Sequence, residues 1–146
     1  MIKLTEEQIK EIAGNLDCGF TCYYNKLTGE IKSIPNTDNW IGIDENPWKE
    51  EQDELDENWS DYIEFENFSS RNSYDLMVDF AESIDNDQLR DKLFIALNKS
   101  KPFRNFKWVI DNSGEYREKW FDFKNKRYLE FVKKQIRYKN DFEENV

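Results

Sequence analysis

The sequence predicts an α+β domain with an N-terminal helix, a three-stranded antiparallel sheet formed by a hairpin plus one strand, and a C-terminal cluster of about four helices. Short segments rich in aromatic and β-branched residues, typical of strands, occur before residue 67. Apolar residues at helical spacing dominate the chain after residue 70. Strands and helices that are segregated along the chain in this way are characteristic of the α+β class.

The first helix is predicted to begin at Glu6. Thr5 and Gln8 have the spacing of a capping box, in which each side chain binds the backbone N–H of the other residue. Gly14 and Asn15 are typical helix stop signals, so the helix is expected to end near Asn15. Its apolar face is formed by Ile9, Ile12, Ala13 and Leu16.

Three strands are predicted to follow. Residues 20–24 and 30–34 have the pattern of a β-hairpin, joined by a turn in which Gly29 can adopt a positive φ. Residues 62–66 alternate strictly between polar and apolar side chains, with Ile63 and Phe65 on one face. This alternation is typical of a half-buried antiparallel strand, which is expected to join the hairpin.

The remaining helices are predicted from caps and apolar stripes. Asn46-Pro47 is typical of a helix start, which predicts a short helix over 47–57. After the sheet, an apolar stripe from Tyr74 to Ile84 predicts one helix, and Asn86 caps the next. Pro102 begins a third helix, and residues 115–139 form either one long helix or a broken pair.

The size and charge of the chain limit its organisation. The 146 residues correspond to one domain, so residues 1–146 are expected to form a single cooperative unit. The net charge is −10, unevenly spread: residues 1–98 carry 8 basic and 23 acidic side chains, and residues 99–146 carry 13 basic and 8 acidic. Whether the two parts neutralise each other depends on the fold.

Several catalytic classes are excluded by the residue types present. The chain has no histidine, which removes Ser-His-Asp and Cys-His catalysis as well as histidine-bound metals. Gly14 and Gly19 have the spacing of a phosphate-binding loop, but Phe20 stands where that loop needs lysine. No catalytic residue, cofactor or metal site is therefore predicted, and an enzyme is disfavoured.

Cys18 and Cys22 are expected to be small buried residues under the hairpin without redox or metal chemistry. On one strand their Cα atoms would lie about 13 Å apart, too far for a disulfide, although the geometry stays open if Cys18 lies in the turn before the strand. Two thiols fall short of a zinc site unless a dimer supplies four. Free thiols are typical of a reducing cytoplasm, where the protein is expected.

A basic cluster lies at the start of the helix that Pro102 opens. Lys101, Arg104 and Lys107 recur every third residue there. Helix N-termini favour anions, so these side chains could hold a phosphate, a nucleic-acid backbone or a partner's carboxylate. The alternative is that Arg104 and Lys107 pair with the protein's own carboxylates, which the surplus of acids favours.

Three tryptophans, Trp40, Trp48 and Trp59, lie among the carboxylates of the acidic stretch before the third strand. Protein interfaces use aromatic anchors within a charged rim, so these residues are predicted to form a partner-binding surface. Ordinary packing in the core is the alternative interpretation.

Three segments resemble the bacterial Uncharacterised Protein Family 0158: the opening LTEEQIKEIAGNLDCGFTCYYNKLTGEIKSIP, then LMVDFAESIDNDQLRDKLFIALNKSKPFRNFK, and later REKWFDFK. The resemblance implies a small bacterial cytosolic protein. It brings no activity, cofactor or catalytic residue to this sequence.

The combined observations predict a non-enzymatic module that binds another protein. The alternative is a protein that binds phosphate or an RNA backbone through the basic cluster. An acidic protein repels polyanions at long range, which disfavours nucleic acid. The longest unbroken apolar run covers only 93–97, so no membrane partner is expected.

Overall fold

The computed structural model describes residues 2–35 and 47–144. In chain order its elements are α1 (Glu6–Asp17), β1 (Phe20–Asn25), β2 (Ile31–Pro35), α2 (Lys49–Glu57), β3 (Tyr62–Phe65), α3 (Ser70–Ser83), α4 (Asp87–Leu97), α5 (Pro102–Asp111) and α6 (Tyr116–Glu144). A short 3-10 turn, Trp59–Asp61, connects α2 to β3. The predicted α+β class is confirmed, with a helix first, three antiparallel strands next and a helical cluster last.

Strand β1 lies at the centre of the sheet, whose order is β2-β1-β3 with both pairs antiparallel. Tyr23 of β1 lies opposite Lys32 on one side and Glu64 on the other. Paired residues point to the same face of a sheet, so these three side chains share one face. Cys22 points to the other face, where its sulfur lies 3.8 Å from the carbonyl oxygen of Ile12 in α1. Helix α1 therefore covers one face of the sheet.

Helix α2 covers part of the opposite face. Leu55 forms a buried cluster with Ile34 of β2 and Tyr62 of β3, and Trp48 packs against that cluster. The sequence predicts a half-buried third strand, and Ile63 and Phe65 are buried on the face expected. Tyr62 is buried as well, because α2 shields the face that the prediction left to solvent.

The start of α1 is set by local chemistry and its end by packing. Thr5 Oγ1 accepts the N–H of Gln8 at 3.1 Å, and Gln8 Oε1 accepts the N–H of Thr5 at 2.9 Å, which confirms the capping box. The helix passes the expected stop at Asn15 and ends at Asp17. Burial of Leu16 in the core stabilises the additional residues, and the chain turns at Gly19, where φ is +90°.

The turn between β1 and β2 is organised by Asn25. Its buried side-chain oxygen accepts the N–H groups of Leu27 and Thr28 at 2.8 and 3.1 Å. Gly29 donates its N–H to the Asn25 carbonyl at 2.8 Å and has a φ of +78°, a conformation that glycine adopts without steric cost. The predicted hairpin is thereby closed by one asparagine and one glycine.

The chain forms two compact units. Unit 1 comprises residues 1–67 and 128–146, and contains α1, the sheet, α2 and the second part of α6. Unit 2 comprises residues 68–127, and contains α3, α4, α5 and the first part of α6. Cooperative unfolding of residues 1–146 as one domain stays a prediction.

Unit 2 is built around Trp120. Its ring contacts Phe80 and Phe106 edge-on, with centroid distances of 5.2 and 5.0 Å. The caps expected for this unit are confirmed: the side chain of Asn86 accepts the N–H of Leu89 at the start of α4, and Pro102 begins α5. Residues 116–144 form one continuous helix rather than a broken pair. Within the described ranges, no helix is both long enough and apolar enough to cross a membrane.

The two cysteines differ in burial, so substitutions at the two positions are expected to have different effects on stability. Cys22 is fully buried, and burial raises the pKa of its thiol, while Cys18 is exposed at the end of α1, contrary to the expectation that both are buried. We expect Cys22→Ala to cost about 1 kcal/mol of folding free energy through lost packing, and Cys18→Ala to change stability by less than about 0.5 kcal/mol. Chemical denaturation measures both variants.

A thiol reagent provides the matching control in the native protein. It should modify Cys18 quickly and Cys22 only on unfolding, since the thiolate is the reactive form and the buried thiol is both inaccessible and less acidic. Equal labelling rates at the two positions would contradict this assignment.

Candidate functional site

An open cavity in unit 1 lies between α2 and the sheet face that α1 leaves uncovered. We call it the acidic groove. It has a volume of about 700 Å³ and is open to solvent. Its lining consists of Thr21, Tyr23, Ile34, Pro35, Gln52, Leu55, Asp56, Trp59, Tyr62 and Glu64.

The groove follows directly from strand register and the turn before β3. Tyr23 and Glu64 are paired across β1 and β3, so both side chains face the groove. Leu55 and Tyr62 belong to the buried cluster beneath it. Trp59 lies in the 3-10 turn and is 76% exposed, which leaves most of its ring available at the edge of the groove.

Lys32 and Glu54 tie α2 to the sheet. Lys32 Nζ lies 2.9 Å from Glu54 Oε2, and the Tyr62 hydroxyl donates to Glu54 Oε1 at 2.8 Å. The hydrogen bond with Lys32 is the main reason why the pKa of Glu54 is below its ordinary value, and the bond from Tyr62 adds to the effect. The same bond to Glu54 raises the pKa of Lys32, whose side chain is only 12% exposed. These three residues position α2 and thereby the wall of the groove.

Two carboxylates, Asp56 and Glu64, belong to the lining of the groove. The pKa of Tyr23 is raised, first by burial and then by the negative charges of Glu64 and Asp56. Among the described residues, neither Asp56 nor Glu64 forms an ion pair. The groove therefore offers negative charge beside two aromatic rings, those of Tyr23 and Trp59.

The charge of unit 1 as a whole reinforces this local field. Unit 1 carries 9 basic and 21 acidic side chains, a net charge of −12, whereas unit 2 carries 12 basic and 10 acidic, a net charge of +2. The acidic character of the protein is thus concentrated in the unit that contains the groove. A cation approaching the groove experiences attraction from the whole unit at low ionic strength.

The three tryptophans predicted to form a partner-binding surface occupy different places. Trp59 is exposed at the groove. Trp48 is half-buried and packs on the cluster of Ile34, Leu55 and Tyr62, as the core interpretation predicts. Trp40 lies outside the described residues. Sequence reasoning did not identify Tyr23, Asp56 or Glu64, although the alternation of 62–66 already placed Glu64 opposite the buried face.

The basic cluster is exposed in unit 2. Lys101, the N-cap residue of α5, is exposed, as are Arg104 and Lys107 in the first two turns of the helix. In the described part of the chain no ion pair includes any of them, so the expected pairing of Arg104 with an internal carboxylate is not found. The surplus of acids that favoured such pairing lies in unit 1, and unit 2 by itself has none.

The side chains of the groove suit recognition of a cation better than covalent chemistry. Carboxylates and aromatic faces both attract ammonium and guanidinium groups. Over residues 2–35 and 47–144, no group of three or more cysteine, aspartate or glutamate side chains is arranged to hold a metal ion. The groove thus provides the negative charge and aromatic faces to which positively charged groups bind.

Comparison with known proteins gives one match. The model of the Uncharacterised protein family (UPF0158) matches residues 2–145. No curated protein and no solved structure matches the chain.

The ion pair behind the groove predicts a pH dependence of stability. Because the folded-state pKa of Glu54 is below the unfolded one, its carboxylate stabilises the fold above the unfolded value, and this contribution is lost as the pH falls through the folded value. We expect Glu54→Gln to be less stable than the parent near neutral pH and the difference to shrink between about pH 5 and pH 3. Urea denaturation across this range measures it.

Glu57→Gln is the matched control, since it removes a carboxylate from the same helix where no described ion pair is lost. A Glu54→Gln variant whose deficit persists unchanged at pH 3 would rule out the electrostatic explanation.

The exposure of Arg104 predicts that its charge can be reversed without loss of stability. We expect Arg104→Glu to unfold within about 0.5 kcal/mol of the parent. Arg127 provides the comparison variant, because its side chain has two contacts. Its Nη1 lies 3.2 Å from Asp79 Oδ2, and its Cζ lies 4.9 Å from the ring centre of Phe123. Arg127→Glu should cost about 1 to 2 kcal/mol, since it loses both contacts. Thermal melts of the two variants that shift equally would contradict this difference.

Proposed function

The chain belongs to the Uncharacterised protein family UPF0158, and we propose that it is a non-enzymatic protein-interaction module whose acidic groove binds a basic segment of a partner protein. The observation that carries the proposal is Trp59, a large aromatic side chain exposed at a groove with two carboxylates that lack ion-pair partners among the described residues. Tryptophan is enriched at the energetic centres of protein interfaces, and here it stands beside carboxylates in a groove.

The chemistry of the groove identifies the kind of partner. A lysine or arginine side chain placed over Trp59 or Tyr23 gains cation–π attraction, strongest for tryptophan. The carboxylates of Asp56 and Glu64, which line the same groove, attract the same cation. The apolar stem of such a side chain can pack on Ile34 and Leu55 at the base of the groove.

The charge of unit 1 favours a basic partner over an acidic one. Its net charge of −12 attracts a basic segment and repels nucleic acid. We place this interaction in the bacterial cytoplasm, in keeping with the two free thiols.

A second candidate function is supported by unit 2. Lys101, Arg104 and Lys107 are exposed and without described ion pairs at the start of α5, which favours binding of a phosphate or an RNA backbone. Unit 2 has a net charge of only +2, which provides little long-range attraction for a polyanion. The acidic groove is therefore the stronger candidate.

The proposed function predicts that Trp59 dominates binding of basic peptides. The probe is a hexapeptide with alternating lysine and valine, acetylated and amidated, titrated by isothermal calorimetry at low salt. We expect Trp59→Ala to weaken its affinity at least tenfold, because truncating an aromatic anchor at the centre of an interface costs about 2 kcal/mol or more, and about 1.4 kcal/mol already corresponds to tenfold. Added salt should weaken binding to the parent protein, since the carboxylates are exposed.

Trp108→Ala is the matched control. Trp108 is 69% exposed, but it lines a depression of about 290 Å³ in unit 2 whose lining includes Lys92 and no carboxylate. We expect this variant to bind the peptide within about twofold of the parent. The proposal is wrong if the parent protein does not bind the peptide but binds a uridine oligonucleotide, and if Arg104→Glu abolishes that second binding. This outcome would support the phosphate- or RNA-binding function.

A further inference from the structure

A second groove in unit 1 lies beside β3, and we call it the edge groove. It has a volume of about 370 Å³. Its apolar lining comes from Ile2, Ile63, Tyr138 and Phe142, and it shares Tyr62 and Glu64 with the acidic groove. The two grooves therefore meet at the outer edge of β3.

The outer edge of β3 carries backbone groups that the sheet does not use. Lys26 donates its N–H to the Asp61 carbonyl at 2.8 Å, so the backbone of Asp61 points toward β1. In an antiparallel pair, alternate residues point toward the partner strand, so Ile63 and Phe65 do the same. The backbone groups of Tyr62, Glu64 and residue 66 consequently point away from the sheet.

Both ends of this edge are closed by internal hydrogen bonds. The side-chain amide of Gln135 accepts the N–H of Glu66 and donates to its carbonyl, both at 2.9 Å, as a neighbouring strand would. At the other end, Tyr62 donates its N–H to the carbonyl of Trp59. The groups left between these closures are the Tyr62 carbonyl and both the N–H and the carbonyl of Glu64, and no hydrogen bond within the described residues uses them.

Two aromatic rings stand exposed beside these free backbone groups. Tyr138 is 72% exposed and Phe142 is 65% exposed, and both line the edge groove. An exposed strand edge flanked by apolar surface is a template for a further strand. Proteins that bind extended peptides use such an edge, where the backbone provides affinity and flanking grooves select alternate side chains.

We propose that the basic segment of the partner binds as an extended strand added to β3, with its backbone hydrogen-bonded to Tyr62 and Glu64. This inference rests on the proposed function of the acidic groove and specifies how the segment lies in it. Successive side chains of the added strand point to opposite faces. Those on the face of Glu64 enter the acidic groove, and those on the face of Ile63 enter the edge groove against Tyr138 and Phe142. The partner sequence is therefore one in which basic and apolar residues alternate.

Charge complementarity favours a basic partner segment over a second copy of this chain at the edge of β3. Two copies paired through β3 about Glu64 would place the Glu64 side chains opposite each other, and like charges in that position destabilise a strand pair. Each copy would also bring a unit 1 with a net charge of −12. Lys139 lines the edge groove, and its single positive charge offsets little of this repulsion.

The decisive test compares two hexapeptides of identical composition on the full-length protein. One alternates lysine and valine, and the other has three lysines followed by three valines. We expect the alternating peptide to bind at least ten times more tightly, because only its lysines all fall on the face of Glu64. Equal affinities would show that charge alone drives binding and would overturn the strand geometry.

Amide hydrogen exchange followed by NMR provides the residue-specific measurement. The N–H of Glu64 should exchange quickly in the free protein. Exchange should be at least tenfold slower when the alternating peptide saturates the protein. The amide of Gln88, in the first turn of α4 in unit 2, is the internal control and should not change. If the peptide binds and Trp59→Ala weakens it, yet exchange at Glu64 is unchanged, the added strand is ruled out while the proposed function stands.

Two further outcomes complete the test. If neither peptide binds, both the proposed function and the added strand are wrong. If exchange at Glu64 slows with increasing protein concentration in the absence of peptide, the edge pairs with a second copy, which also overturns the inference.

Discussion

The pairing of β1 on both of its edges is the constraint on which unit 1 depends. Because β1 is central, its register with β2 and β3 fixes which side chains share a face. That register places Cys22 and Phe65 beneath α1 and places Tyr23, Lys32 and Glu64 on the opposite side. A one-residue shift of β1 would exchange the faces of Cys22 and Tyr23 and would disrupt core and groove together.

The opposite face is only partly covered, and one ion pair determines how far α2 covers it. Lys32 and Glu54 join β2 to α2, with Tyr62 contributing a third contact. Leu55 and Trp48 also pack on this face, and among the described residues the remainder of the face lines the open groove. The acidic groove is thus the part of a sheet face that a short helix does not reach.

The sequence predicted the elements whose signals are local. The capping box at Thr5, the Asn86 cap and the Pro102 start depend on residues within one turn, and all three are present. The apolar spacing of α1 already included Leu16, beyond the stop signals at Gly14 and Asn15, and the helix continues to Asp17. Helix α2 ends at Glu57 as predicted but begins at Lys49 rather than at residue 47.

The functional residues were less predictable, because they depend on which segments meet in space. Trp48 and Trp59 lie in the same acidic stretch, yet one packs on the sheet and the other does not. Tyr23 and Glu64 are 41 positions apart and become neighbours only through the β1–β3 pairing. The total composition predicted that Arg104 pairs with an internal carboxylate, but the surplus of acidic residues lies in unit 1 rather than in unit 2, which contains α5.

Helix α6 packs on unit 1 through the buried side chains of Tyr128 and Val132, and an insertion between Tyr128 and Gln135 would displace the polar contacts that follow. Gln135 holds the backbone of Glu66, and Asn140 holds the N–H and the carbonyl of Ile2 at 2.7 and 3.1 Å. One inserted residue would rotate both amides by about 100°, while seven would nearly restore the angle but displace them about 10 Å along the axis. Since no insertion or deletion conserves both the helical phase and the helical rise, a change of length on this stretch would break the hydrogen bonds of Gln135 and Asn140.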